Sequence, residues 1–280
     1  KLKKDITNIL ITGGSGYIGN HIEDIKYKKY NLIFFVNKKK IINSSKKILV
    51  NKKNIFNKIK KIDYIIHLAG SDNFYKNKNI RENNKSLDRF IKKLVYIYKV
   101  KKLIFTSSNK VYEDSKEEFI FENTIPRFSS IYAKSKFASE KILKRLPCKT
   151  IILRLPSVIS RDFSKGLIYR ILSKLEKNKK IVIFNPDSLF NNIINAGELI
   201  KVIFMSLNLK KSLTINLAAN KPIKIIQVLN YLKKQTNSKS EIHVVNRRNN
   251  TKFYSTNLQN RIFKSQISSV KTSLNKLFKN

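Results

Sequence analysis

Short apolar runs alternate with amphipathic stretches through the first half of the chain. Asn8–Thr12 is apolar, and Leu32–Val36 and Ile62–Leu68 are continuous apolar runs, the pattern of strands covered on both faces. Between them, Gly16–Lys29 places Ile18, Ile22 and Ile25 at helical spacing. Leu87–Val100 sets Leu87, Phe90, Ile91, Leu94 and Ile97 on one helical face. Leu103–Ser107 then reads as a strand, Ile131–Leu146 as a helix and Thr150–Leu155 as a strand. Strand–helix–strand alternation of this kind predicts an α/β fold built on a parallel, doubly wound sheet.

Beyond Leu155 the periodicity is less regular. Lys165–Lys177 is helical in pattern, Ile181–Phe184 is strand-like and stops before Pro186, and Ala196–Leu207 is helical. Leu213–Leu217 is strand-like, Ile223–Lys234 helical, and Ser265–Phe278 fits a terminal helix. The change of pattern divides residues 1–155 from a smaller lobe, residues 156–280, some of whose strands return to the first sheet. No internal repeat or low-complexity linker separates the two.

Glycine gives the first chemical signal. The chain has seven, and four of them fall in the stretch Thr12-Gly13-Gly14-Ser15-Gly16-Tyr17-Ile18-Gly19. Gly13, Gly16 and Gly19 form G-x-x-G-x-x-G between a predicted strand and a predicted helix. One glycine permits a sharp turn, one lets backbone N–H groups approach a pyrophosphate, and one lets helix and strand pack closely. The helix start then presents free donors and the positive end of its dipole. This places Thr12, Gly13, Ser15, Gly16, Tyr17, Ile18 and Gly19 at a dinucleotide, and makes the sheet Rossmann-type. At the end of the second strand, NAD binders usually carry an acid on the ribose hydroxyls. Here Asn37 and Lys38 follow Val36. Asn37 suits a ribose hydroxyl and Lys38 a 2′-phosphate, so the cofactor is NAD or NADP with a lean toward NADP.

Charge changes the picture less than its size suggests. The formal net charge is +41, from 59 Lys and Arg against 18 Asp and Glu. A phosphate polymer would be attracted to such a chain. The lysines are nevertheless spread evenly, with no basic tail, no zinc-finger spacing and no aromatic RNA-binding strand. Abundant Lys, Asn, Ile, Tyr and Phe with scarce Gly, Ala and Pro is the profile of an AT-rich genome, so nucleic acid is not the expected partner. The single cysteine, Cys148, allows no internal disulfide. No run of about 18 apolar residues is present. With no signal-peptide pattern at Lys1-Leu2-Lys3-Lys4-Asp5, the expected location is cytoplasmic. His21 and His243 lack companion ligands, so no metal site is expected. His67 lies in a buried strand and reads as structural.

A second chemical signal lies on the predicted helix at 131–146. Tyr132-Ala133-Lys134-Ser135-Lys136 is Y-x-x-x-K, which sets phenol and ammonium on one helical face. An ammonium there favours phenolate and lets a tyrosine exchange protons with a substrate oxygen near neutral pH. The strand ending Thr106-Ser107-Ser108 brings hydroxyls to the same sheet edge.

Taken in order, TGGSGYIG at 12–19, IIHLAG at 65–70, FTSSNKVY at 105–112, YAKSK at 132–136 and ILRLPSV at 152–158 resemble the extended short-chain dehydrogenase/reductases, in particular the NAD-dependent epimerase/dehydratase group acting on nucleotide sugars. The resemblance implies Tyr132 as acid/base, Lys136 as the residue that tunes it and binds the nicotinamide ribose, and Ser108 as the substrate-binding serine, with Ser107 as the fallback. It implies backbone contacts to the cofactor from Leu68, Ala69 and Gly70. Pro156 and Ser157 fall near the nicotinamide, with Ser157 and Asn191 on the substrate. A homodimer is the family expectation, and the implied substrate is a nucleotide-activated sugar.

The chain departs from that pattern in two places. The acid after the second strand is absent. A stretch resembling R-D-x-x-H-V-x-D reads Asn191-Asn192-Ile193-Ile194-Asn195-Ala196-Gly197-Glu198, with Asn191 in place of an arginine that grips a diphosphate. Two other functions therefore stay open beside the sugar-nucleotide enzyme. One is an NADPH-dependent reductase of a non-sugar carbonyl compound, and the other is a non-catalytic dinucleotide- or RNA-binding protein.

Overall fold

The computed structural model describes residues 6–22, 30–36, 48–70, 80–245 and 252–278. Asn37 and Lys38 lie outside the described residues. So does the rest of the first predicted helix after Ile22, up to the start of the second strand.

The chain folds into two compact units. One comprises residues 1–113, 127–154 and 200–215, and the other residues 114–126, 155–199 and 216–280. The first unit is organised by a seven-stranded parallel sheet. Five of its strands are β1 (Thr7–Thr12), β2 (Tyr30–Phe35), β3 (Ile48–Val50), β4 (Tyr64–His67) and β5 (Lys102–Ser108). With the strands Lys149–Leu155 and Leu213–Asn216, the order across the sheet is Leu213–Asn216, Lys149–Leu155, β5, β4, β1, β2, β3. The apolar runs are covered on both faces: Ile9, Leu10, Ile11, Ile65, Ile66, Leu103 and Ile104 have no exposed surface.

Register decides which side chains share the carboxyl edge. Thr12 pairs with Phe35 and with His67, and His67 pairs with Phe105. In an open parallel sheet that edge is where ligands bind, at the point where the strand order reverses. Strand order reverses here at β1, whose neighbours are β2 and β4.

The helices of this unit include α1 (Tyr17–Asn20), α2 (Ile55–Lys58), α3 (Ile80–Tyr98) and α4 (Ile131–Leu143). The α3 helix begins seven residues before the expected Leu87. Ile80, Asn84 and Asp88 repeat at i, i+4 and i+8 and are all buried. In the missed segment the inward position after Ile80 is the polar Asn84, which an apolar count does not register. The helix ends at Lys99, which adopts a left-handed φ of 50°. The short elements β3 and α2 were not anticipated. Within them only Val50 and Ile55 are fully buried, too few apolar positions to set a period.

The second unit carries helices at Leu167–Leu175, Ile225–Gln235, Asn257–Phe263 and Val270–Phe278. Its strands pair two by two: Ser157–Ile159 with Ile193–Asn195, Ile181–Phe184 with Ile242–Val245, Phe119–Ile120 with Phe253–Tyr254, and Leu189–Phe190 with Ile223–Lys224. The first three pairs are parallel and the last antiparallel. Among the described residues, no helix is long and apolar enough to cross a membrane, and no cluster of His, Cys, Asp and Glu could hold a metal ion.

Candidate active site

The glycine turn closes against the exit of β4. Gly13 has φ +74°, and a Cβ there would lie 2.6 Å from the Ala69 backbone nitrogen. Neither the backbone conformation nor the space admits a side chain. A Cβ on Gly19 would meet the Gly13 carbonyl at 2.4 Å, and one on Gly14 would enter the Phe34 ring. The turn is held by Gly16 N–H donating to Gly13 O at 2.9 Å. Ser15 and Gly16 face outward and are exposed, while Tyr17 and Ile18 are half-buried in α1. Leu68 and Ala69 are half-buried, Gly70 is exposed, and Leu68 N–H donates to Thr12 O at 3.1 Å.

The carboxyl end of β5 and the start of α4 bring the second set of residues together. Ser130 caps α4 by accepting a hydrogen bond from Ala133 N–H at 3.3 Å. Ser130 N–H in turn donates to Glu113 Oε1 at 2.7 Å. Tyr132 stands half-buried in the first turn. One turn on, Lys136 is only 6% exposed. Its Nζ donates to Thr106 O at 2.9 Å and lies 5.0 Å from the centre of the Phe105 ring. A Cβ on Gly70 would fall 2.8 Å from that Nζ. The ammonium therefore reaches from α4 to the ends of β4 and β5 together.

The two serines of β5 separate cleanly. Ser108 is half-buried and caps the following 3₁₀ turn by accepting from Lys110 N–H at 3.2 Å. Ser107 is buried and donates to Glu140 Oε1 at 2.5 Å. Glu140 is clamped by Arg154, with Nε to Oε1 at 3.0 Å and Nη2 to Oε2 at 2.7 Å. Arg154 also donates to the Tyr112 hydroxyl and stacks 4.9 Å from that ring. Burial works against the Arg154 charge, but hydrogen bonding and attraction from Glu140 outweigh it and hold the guanidinium above its ordinary value. Tyr132, Lys136 and Glu140 are spaced i, i+4, i+8, so α4 presents phenol, ammonium and a buried carboxylate in one row. That spacing was the available signal for Glu140, which reading for acid/base chemistry alone passed over.

A further polar group lies under the turn. His67 is buried, with Nδ1 2.7 Å from Thr12 Oγ1 and Nε2 3.5 Å from Asp88 Oδ1. Ser139 Oγ donates to Asp88 Oδ2 at 2.6 Å, and Asn84 donates to Ser135 Oγ at 2.7 Å. Burial lowers the His67 pKa against the opposing effect of Asp88, with Lys136 adding to the lowering.

In the second unit, Pro156 is buried and Ser157 half-buried, and Ser157 N–H donates to Asn192 O at 3.2 Å. Asn191 is fully buried. Its amide donates to Tyr254 O at 2.8 Å and its Oδ1 accepts from Tyr254 N–H at 3.2 Å. Both ends of that carboxamide are thus engaged with one residue's backbone. Asn195 Oδ1 accepts from Gly197 N–H at 3.1 Å at the start of the helix Ala196–Ser206. Glu198 accepts from Ser268 and Lys276, tying that helix to the C-terminal one.

Comparison with known proteins gives this arrangement a family. A protein of Methanocaldococcus jannaschii that carries the provisional name UDP-glucose 4-epimerase is 27% identical over 259 residues, covering 83% of this chain and 84% of its own length. In fold the chain is similar to the UDP-glucose 4-epimerase of Thermotoga maritima solved with UDP-glucose, with TM-score 0.79, 17% identity and 97% of each chain covered. It is also similar to the Bordetella bronchiseptica enzyme WbmG solved with NAD and UDP, with TM-score 0.81, 16% identity, and 98% of this chain and 94% of that one covered. The model of the NAD dependent epimerase/dehydratase family matches residues 9–218, from β1 past the last strand of the central sheet, and the chain belongs to that family.

Proposed function

We propose that the protein is an NAD(P)-dependent enzyme that acts on a nucleotide-activated sugar, with Tyr132 as the acid/base. The observation that carries this reading is the position of Lys136. A long cationic side chain is buried at a sheet edge, bonded to the Thr106 carbonyl and set against Gly70, one helical turn from Tyr132. Burying an ammonium is costly unless its charge is used or compensated. An ammonium so placed can favour phenolate at Tyr132 and face a ribose at the same edge.

The residues present fit a dinucleotide. Gly13 packs its backbone on Ala69 with no room for a Cβ, while Ser15 and Gly16 stay exposed on the open side, where backbone donors can meet a pyrophosphate. Thr12, Tyr17, Ile18, Gly19, Leu68, Ala69 and Gly70 would complete its surroundings. The dinucleotide, when bound, supplies the hydride chemistry. Tyr132 takes the proton from the sugar hydroxyl as the carbon is oxidised and returns it on reduction. Ser108, half-buried at the end of β5, orients the same oxygen by hydrogen bonding. Lys136 holds the positive charge that keeps the phenol ready. NAD and NADP differ at the ribose 2′ position, which Asn37 and Lys38 would read.

The test is mass spectrometry of the dinucleotide carried by the purified protein, then turnover on UDP- and dTDP-sugars. Tyr132→Phe keeps the ring and removes the proton carrier. Turnover should fall by roughly 10²–10⁴-fold, the usual contribution of a positioned acid–base group. Unchanged turnover in that variant would end the proposal.

A second reading is a reductase of a carbonyl compound without a nucleotide. It is favoured by Asn191, whose amide is bonded to Tyr254 at both ends and so is not poised to grip a diphosphate. Turnover of simple carbonyl compounds with none on the sugar panel would select it.

A further inference from the structure

Asp88 is a buried carboxylate that the proposed reaction does not use. It is 1% exposed and sits on the inward face of α3. One oxygen faces His67 Nε2 and the other accepts from Ser139. His67, Ala69, Asn84, Asp88, Lys136 and Ser139 all line one narrow, partly open pocket at the sheet edge. Asp88 and Lys136 are 1% and 6% exposed, so the carboxylate on α3 and the ammonium on α4 line one pocket while largely removed from water, where electrostatic interactions are strong.

The hydrogen-bond inventory fixes the direction of the network. An ionised Asp88 only accepts, so Nε2 of a neutral His67 carries the proton and Nδ1 accepts. Thr12 Oγ1 must then donate to Nδ1, leaving its lone pairs for Ala69 N–H, 3.4 Å away. The result is a one-way chain from Ala69 through Thr12 and His67 to Asp88. It joins the glycine turn, the exit of β4 and the pocket that holds Lys136.

We propose that Asp88 is a positioning residue: its carboxylate balances the Lys136 ammonium and orders His67 and Thr12 under the dinucleotide turn. This rests on the reading of Lys136 and the turn as cofactor-binding. A charge that acts through Lys136 should be felt in cofactor affinity and in the pH dependence of turnover. A part that merely fills space should not.

The experiment compares Asp88→Asn, which keeps shape without charge, with Asp88→Glu, which keeps charge. For each, the dissociation constant of NAD and of NADP is measured by titration of the purified protein, with the melting temperature and the pH profile of turnover. Asp88→Asn should weaken dinucleotide binding and lower turnover on the order of tenfold, a fraction of what a full acid–base group contributes. Its alkaline limb should move to lower pH, because an unbalanced ammonium loses its proton more readily. Asp88→Glu should recover part of both losses. Parent-like affinity and pH profile in Asp88→Asn, or equal impairment in Asn and Glu, would overturn the proposal. If instead the parent protein binds no dinucleotide, or Tyr132→Phe keeps full turnover, the underlying functional reading fails, and that outcome is distinct from either result at Asp88.

Discussion

At the scale of single residues, the tightest constraint at the site is the space around the Lys136 ammonium. Gly70 has no positive φ and is itself exposed, so a methyl group there meets no backbone obstacle. It would meet Nζ of Lys136 at 2.8 Å. Gly70→Ala should therefore displace the ammonium from Thr106 while leaving the fold intact. The expected result is lower turnover and weaker dinucleotide binding with the melting temperature nearly unchanged, read by paired kinetics and thermal unfolding. A drop in melting temperature with normal activity would contradict this assignment. Tertiary packing, and not residue identity, separates the two serines at the end of β5. Ser107 and Ser108 are equivalent in sequence, yet only Ser107 turns inward to Glu140. That difference is the alternation of side chains along a strand, made decisive by what lies on each face.

At the scale of elements, the ion pair between Glu140 and Arg154 locks α4 to the strand Lys149–Leu155, and through Ser107 and Tyr112 to the end of β5. Both side chains are at most 3% exposed. Removing one member leaves a buried charge without its partner, a loss of about 3–5 kcal/mol. Glu140→Ala should thus lower stability by that order in chemical denaturation, and carry Tyr132 and Lys136 out of place with it. Arg154→Met together with Glu140→Leu should be far less destabilising, because no isolated charge remains. The same scale explains how the α3 boundary escaped sequence reading. In its first two turns, the inward position after Ile80 is Asn84, and a polar residue carries no hydrophobic period. The burial of Asn84 and Asp88 is satisfied by Ser135, Ser139 and His67 opposite them, partners that only the tertiary fold supplies.

At the scale of the whole molecule, buried His67 links stability to pH. Burial holds its folded-state pKa below the ordinary histidine value of about 6.5. As pH falls through that value, unfolded His67 gains a proton that the folded chain does not yet accept. The unfolded state then binds more protons, so stability declines with falling pH from about 6.5 down to the folded-state value. Asp88 and Lys136, which face the ring from α3 and α4, set how far that window extends. Melting temperatures measured from pH 7.5 to pH 5 should fall, and the His67→Asn variant should show a shallower slope. A slope unaltered by that substitution would mean that other groups dominate.

Sequence by itself determined the parallel α/β sheet, the strand–turn–helix bearing Gly13, Gly16 and Gly19, and the Tyr132–Lys136 pair. Each rests on local spacing: continuous apolar runs for doubly covered strands, glycine where no Cβ fits, and four residues for one helical turn. Tertiary structure alone decided what those residues meet. It turned Ser107 inward and left Ser108 half-buried, bound Asn191 to Tyr254, made Arg154 a partner of Glu140, and set Asp88 in the pocket of Lys136. These are pairings between residues far apart in the chain. They depend on strand order and register, which bring Thr12, His67 and Phe105 into one row and which no local pattern encodes.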